Sequence, residues 1–312
     1  VTSNACTAID IQGNVSTTWV GTVDLSGGTV TVKTGYRMTM GSSSQMILGA
    51  SDDFVIESGA TTTHLLEDIN GIKITARNIT INGSLSASER GCRRSGASGD
   101  HGYGVNVSTG VCGYRVGGYG RGGGGGGAGG SGASHAGFGG ASAGGYVIGA
   151  SLIYGNSLFP SLLGSGGGTG YYSSAFGGAG GGLIHVTSTG TLTVNGTILA
   201  KGGNGSNDGI HNGGGGGAGG SILIRAGVLA GTGTISVDGG NGSLGGGAGG
   251  AGRVALYYGS SSFSSLSNIT ASRGTGGTCG TLGTGAHGGY GTTYILNRVT
   301  DDGAGTLTIT SG

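Results

Sequence analysis

Residues 211–227 read HNGGGGGAGGSILIRAG. Five glycines, an alanine and two more glycines lead directly into Ser-Ile-Leu-Ile-Arg, which reads as a buried strand. Fixing one residue's backbone costs about 1–2 kcal/mol, and more for glycine, so an ordered glycine tract needs compensating contacts. The alternative, a long structureless loop, is uncommon inside a compact domain. A chain without side chains can lie close against its own copies. It can bond to them in an extended, three-residue-per-turn conformation related to polyproline II. The juxtaposition therefore predicts that each tract stacks on other tracts and that the strand beside it sets the register.

The same plan recurs on either side. Residues 177–205 read GGAGGGLIHVTSTGTLTVNGTILAKGGNG, residues 213–242 GGGGGAGGSILIRAGVLAGTGTISVDGGNG, and residues 245–259 GGGAGGAGRVALYYG. Each unit is a glycine tract, a strand, a turn, a second strand and, in the first two copies, GGNG. Gly203 and Gly240 stand 37 positions apart, Ile235 and Ile269 34. A weaker copy, NGIKITARNITINGSLSASERG, precedes a long insert containing GRGGGGGGAGGSG. Self-similarity at this period marks a solenoid, in which stacking covers the apolar face that one unit cannot bury alone. Residues 1–90 show short alternating segments such as Thr29-Val30-Thr31-Val32, punctuated by Gly, Asn, Asp or Ser, as in sandwiches, barrels and β-solenoids. The one helix-like patch, His64–Asp68, is too short to count for much.

The pattern GGGGAGG, apolar strand, GTGTISVDGGNG, GGAGRVALYY resembles the glycine-rich, right-handed β-helix-like (pectin-lyase-like) repeats of large secreted surface proteins of bacteria and protists, over roughly residues 64–300. That resemblance implies a cell-surface location more than a chemistry. The expected fold is all-β, a β-solenoid or right-handed parallel β-helix with ordered, polyglycine II-like tracts. The expected organisation is a strand-rich region 1–90, a glycine-rich insert 91–176, β repeats 177–300, and a hinge with a terminal strand 301–312.

Composition narrows the classes. There are 84 glycines in 312 residues but one proline, which argues against collagen. Charged residues make up 9%, and Val, Ile, Thr and Tyr are plentiful, unlike a disordered chain. A net charge of +1 gives no general pull toward nucleic acid, and no apolar run is long enough to span a membrane. A start at VTSNAC suits a secreted protein after signal removal. Cys6, Cys92, Cys112 and Cys279 form no C-x-x-C, so two disulfides are expected, with Cys92–Cys112 closing a glycine-punctuated loop; the alternative is four buried free thiols. Sequons at Asn14, Asn78, Asn82, Asn106, Asn195, Asn204, Asn241 and Asn268 are candidates for N-glycosylation.

Signatures of chemistry are sparse. G-x-G-x-x-G is meaningless within polyglycine, and none of Lys33, Lys73 and Lys201 completes a P-loop. His64, His101, His135, His185, His211 and His287 share no ligand spacing, and residues 202–210 depart from the calcium nonapeptide at Asn207 and Gly209. A polysaccharide-degrading β-helix would need carboxylates together on one face. The candidates are Asp52 with Asp53, Asp100 beside His101, and Asp301 with Asp302, although adjacent strand residues face opposite ways. No catalytic residue, cofactor or metal site is therefore assigned.

The end of the chain reads TDDGAGTLTITSG, a hinge followed by an alternating strand, Thr306, Leu307, Thr308, Ile309 and Thr310. Such a strand fills its own last coil or adds to a neighbour's sheet, giving a head-to-tail polymer. The leading expectation is a secreted, glycosylated, non-catalytic subunit of an extracellular filament or surface layer whose partner is itself. The alternatives are an adhesin that binds surface glycans through residues 92–176, and a β-helix enzyme.

Overall fold

A computed structural model of the chain describes residues 8–17, 22–42, 45–94, 99–120, 129–143, 152–171, 175–207, 209, 213–280, 283–298 and 306–309. The fold is nearly all-β, with 39% of the chain in strands that form curled parallel sheets. Residues 64–68 are not helical: His64 ends the strand Thr61–His64, and a turn follows. The five-residue patch has too few apolar positions to outweigh pairing of that strand with its neighbours.

The main path of the larger sheet runs Ala8–Ile11, Thr29–Val32, Asp53–Ile56, Ile79–Ile81, Leu183–Val194, Ser221–Gly231, Arg253–Phe263, Thr292–Asn297 and Thr306–Ile309. A second file, Thr22–Val23, Met46–Leu48 and Ile72–Ala76, runs beside its early strands. The two files converge on Leu183–Val194, whose first half pairs with Ile72–Ala76 and whose second half pairs with Ile79–Ile81. Two short strands of the early passes thus become one long strand in the later ones. The smaller sheet is Val15–Thr17, Arg37–Met40, Thr61–His64, Ser84–Ser86, Thr197–Leu199, Thr234–Ser236 and Ile269–Thr270. Neighbours in both sheets are parallel except the last pair, Thr292–Asn297 with Thr306–Ile309.

Parallel neighbours require a crossover. Here the passage through the other sheet supplies it, and each pass lays the same positions over those before. Val30, Phe54, Ile79, Leu192 and Leu229 form one column in the larger sheet. Met38, Thr62, Leu85, Ile198, Ile235 and Ile269 form one in the smaller. The apolar members of both columns belong to a single buried cluster. Alternation such as the buried Ile72, Ile74 and Ala76 against half-exposed Lys73 and Thr75 gives each strand its inward face.

The glycine tracts are ordered by main-chain bonds. Within residues 213–220, Gly214, Gly217 and Gly220 donate to the carbonyls of Ser206, Gly203 and Ala200. Gly215 and Ala218 donate to Gly168 and Ser165, and Gly216 and Gly219 to Gly247 and Gly250. Every third residue thus donates to the same neighbouring segment, and three further segments, 130–133, 178–181 and 240–243, donate to the tract's own carbonyls, so six segments surround it. Residues 247–252 repeat the pattern: Gly247 and Gly250 donate to Gly130 and Ala133, Ala248 and Ala251 to Ala286 and Gly289, Gly249 and Gly252 to Gly240 and Val237. The insert is therefore tied into the repeats. There is no room for side chains: a Cβ at Gly216 would lie 2.0 Å from the Gly240 carbonyl oxygen, and one at Gly217 2.0 Å from that of Ala179. The stretch 121–128 lies outside the described residues.

Candidate functional site

Residues 152–163 of the insert cross the outer face of the long sheet as a strap. Alternation along Arg253–Phe263 sends Val254, Leu256 and Tyr258 into the core and turns Arg253, Ala255 and Tyr257 outward. Arg253 Nε and Nη2 donate to the Tyr154 carbonyl at 3.0 and 2.8 Å, and Nη1 donates to Ser157 Oγ at 2.7 Å. The Tyr257 hydroxyl donates to the Leu158 carbonyl, His185 Nε2 to that of Pro160 at 2.9 Å, and Ser221 Oγ to that of Leu162 at 2.6 Å. Four side chains on three adjacent strands thus satisfy strap carbonyls that would otherwise face an apolar sheet. Beneath the strap, the His135 ring stacks on Tyr154 at 4.6 Å and bonds through Nδ1 to the Gly219 carbonyl. Burial, then the Arg253 charge, lowers the His135 pKa to about 3.

The carboxylates singled out in the sequence do separate structural work. Asp52 is fully buried and accepts the backbone N–H groups of Leu25, Gly27, Gly28 and Gly49. Burial pushes its carboxyl up, but the four donors together outweigh that and hold it below the ordinary range. Asp53 turns the other way, to Arg77 Nε and Nη2 at 2.9 and 3.0 Å and to Asn78. Asp100 accepts from the Tyr114 hydroxyl and from the His101 N–H. Asp301 and Asp302 lie outside the described residues. Among the described residues no three His, Cys, Asp or Glu side chains are grouped to hold a metal. His64 is buried between the Leu65 carbonyl and the Leu183 N–H, and burial lowers its pKa to about 4.

Cys92 and Cys112 are bridged, with Cα atoms 5.3 Å apart, and the bridge ties the hairpin Tyr103–Val105/Cys112–Tyr114 to the start of the insert. Cys279 is buried, and Cys6 lies outside the described residues, so the expected second pairing falls outside them. The sequons fall into two groups. Asn78 is engaged on both amide atoms, by Asp53 and the Thr191 N–H, while Asn195 donates to Asn82 and Asn268 to the Thr232 carbonyl. Asn14, Asn106, Asn204 and Asn241 are exposed and use Oδ1 to accept backbone N–H groups; Asn82 and Asn195 are exposed as well. Thr306–Ile309 lies antiparallel on Thr292–Asn297, with Ile295 opposite Thr306 and Thr292 opposite Ile309; Thr310 lies outside the described residues. At the other end of the order stand Ala8–Ile11 and Val15–Thr17.

Sequence reasoning missed the strap and its anchors. Alternation alone turns Arg225, Arg253 and Tyr257 outward, but nothing local to them says that residues nearly a hundred positions earlier will cover that face. No family model, curated protein or solved structure matches the chain.

Proposed function

We propose that this protein is a secreted, structural glycoprotein that stacks head-to-tail into an extracellular filament or cell-surface layer. In this reading the two parallel sheets and the glycine tracts close into a right-handed β-helix with polyglycine II layers, and the chain performs no catalysis. The observation that carries the reading is the terminal strand Thr306–Ile309. It occupies the last position of the larger sheet through main-chain bonds, which any equivalent strand from a second copy satisfies equally well. Passes that superpose position on position extend naturally from one subunit to the next. The exposed Asn14, Asn82, Asn106, Asn204 and Asn241, which use Oδ1 as an acceptor, are the sequons suited to carry glycans. Among the described residues no helix is long and apolar enough to cross a membrane.

Negative-stain microscopy of the full chain and of a form lacking residues 306–312 tests this. Regular fibres from the first and none from the second are expected. Monodisperse particles from the full chain at all concentrations overturn the reading. The adhesin reading is favoured by exposed apolar side chains of the insert, Val107, Val111, Leu152 and Ile153. Surface binding abolished by polar substitution there, without fibres, would place it first.

A further inference from the structure

The outer face of the long sheet carries cations that filament formation does not use. Lys73, Arg225 and Arg298 lie on or just beyond Ile72–Ala76, Ser221–Gly231 and Thr292–Asn297. Each of these strands is two places from the next in the sheet, a step of roughly 10 Å. Register sets Lys73 opposite His185, Arg225 opposite Tyr257, and Tyr257 opposite Leu296, two residues before Arg298. The Arg225 guanidinium lies 5.0 Å from the Phe159 ring centre and 5.7 Å from that of Tyr257, and Arg298 lies 5.7 Å from the same tyrosine ring. Lys73 donates to Asn70 Oδ1 at 3.3 Å. Among the described residues, the salt bridges involve Lys33, Arg77, Arg93 and Lys201, and none of these three cations. Asp53, on a strand of the same sheet, is already held by Arg77.

A groove of about 150 Å³ opens between Lys73 and Arg225, lined also by Gln45, Thr75, His185 and Thr187. Its wall feels positive charge. His185 is held below its ordinary pKa first by burial, then, against its bond to Pro160, by Lys73 and Arg225.

We propose that this face binds an acidic polysaccharide, a linear glycan bearing carboxylate or sulfate groups, laid across the strands from Lys73 past Arg225 to Arg298. Guanidiniums held against aromatic rings keep fixed orientations, which suits paired recognition of carboxylate or sulfate oxygens. The hydroxyls of Thr75 and Thr187 and the amide of Gln45 offer hydrogen bonds to sugar hydroxyls between the charged positions. Spacing selects the ligand. The cations step diagonally, two strands across and two residues along, roughly 12 Å each time, so a glycan charged on every sugar presents about every second charge to them. A nucleic acid strand, with a charge about every 3.4 Å, would leave most phosphates unmatched on a chain whose net charge is +1. The site exists on one subunit, so it stands whether or not the protein polymerises.

Isothermal titration calorimetry of the full chain at low salt tests the proposal, with polygalacturonate, dextran sulfate, neutral dextran and a single-stranded DNA oligomer as probes. Binding to at least one acidic polymer and none to dextran is expected, and the two acidic arms separate carboxylate from sulfate preference. Lys73→Gln with Arg225→Gln should weaken binding about tenfold or more, while Arg115→Gln, which removes one exposed charge elsewhere, should change it less than about twofold. Should the double variant unfold, Lys73→Glu on a half-exposed side chain carries the same test. Absence of binding to both acidic polymers, equal binding to dextran, tighter binding to DNA, or unaltered affinity in the groove variants overturns the proposal.

Discussion

Replacing Gly249 with alanine measures how rigidly the glycine tracts are packed. Gly249 is buried where three segments meet: its N–H donates to the Gly240 carbonyl at 2.8 Å and its carbonyl accepts from Gly274 at 3.1 Å. A Cβ there would lie 1.9 Å from the Gly217 carbonyl oxygen. Carbon–oxygen contacts settle near 3.3 Å or beyond, so the two chains must part by more than about 1 Å. The bonds that flank the contact, Gly216 to Gly247 and Gly219 to Gly250, are both 2.9 Å long. A displacement of that size takes them past any useful length, and each buried peptide group left without a partner costs about 1–3 kcal/mol. With two such bonds, and part of the Gly249–Gly240 bond, the expected loss is about 3–6 kcal/mol. Gly280 is the control. A Cβ there meets nothing within 4 Å, so Gly280→Ala should be neutral or slightly stabilising, by about 0.5 kcal/mol through the unfolded chain. Urea unfolding followed by circular dichroism gives both values, and amide exchange over 213–220 and 247–252 reports where the damage falls. If Gly249→Ala and Gly280→Ala prove equally mild, or if these amides exchange rapidly in the unaltered protein, the tracts are not a packed lattice and the reasoning fails.

Three further outcomes follow from single side chains. Thr62 sits fully buried in an apolar column with no partner for its hydroxyl, so Thr62→Val should stabilise by about 1 kcal/mol in the same urea assay; destabilisation would mean that the hydroxyl is bonded in solution. His64 and His135 are neutral when folded, with pKa values lowered to about 4 and about 3 from 6.5. The unfolded chain therefore takes up protons first. Stability is fully present above pH 6.5 and falls as the pH drops through 6.5 toward 4, by about 3 kcal/mol for His64 alone; unfolding midpoints that match at pH 7 and pH 4.5 would contradict this. Asp52→Asn leaves a neutral amide facing four N–H donors, and its NH₂ opposes at least one of them, so the melting temperature should drop by several degrees, whereas Asp10→Asn at the exposed edge should leave it unchanged.

Much of the repeat was legible in the sequence. Positions equivalent in the repeat pair in space: Ile235 lies opposite Ile269, and the Asn241 N–H donates to Asn204 Oδ1 through GGNG motifs 37 residues apart. A repeat is readable because each pass meets the same environment, so the same residue types recur at the same phase. Glycine beside each strand was readable for a related reason. Where other main chains surround a segment on every side, as at Gly216 and Gly217, a Cβ would collide with a neighbouring carbonyl and only glycine fits. Even Cys92–Cys112 was a matter of a short loop between two cysteines.

What the chain alone did not disclose lies outside that periodicity. Ile79 pairs with Leu192 across the whole insert, which then weaves its own glycine tracts between those of later passes. The strap that takes up Arg253, His185, Ser221 and Tyr257 has no repeat, and neither does the cation face beside it. Such contacts depend on where a long connection lands after the sheets have formed. Outward residues of a strand carry no local mark that tells a covered face from a bare one. Periodicity and the missing Cβ thus determined the strands and the glycine layers, while only the folded arrangement decided which surface is covered, which carboxylates are spent on backbone donors, and which cations have no counter-charge among the described residues.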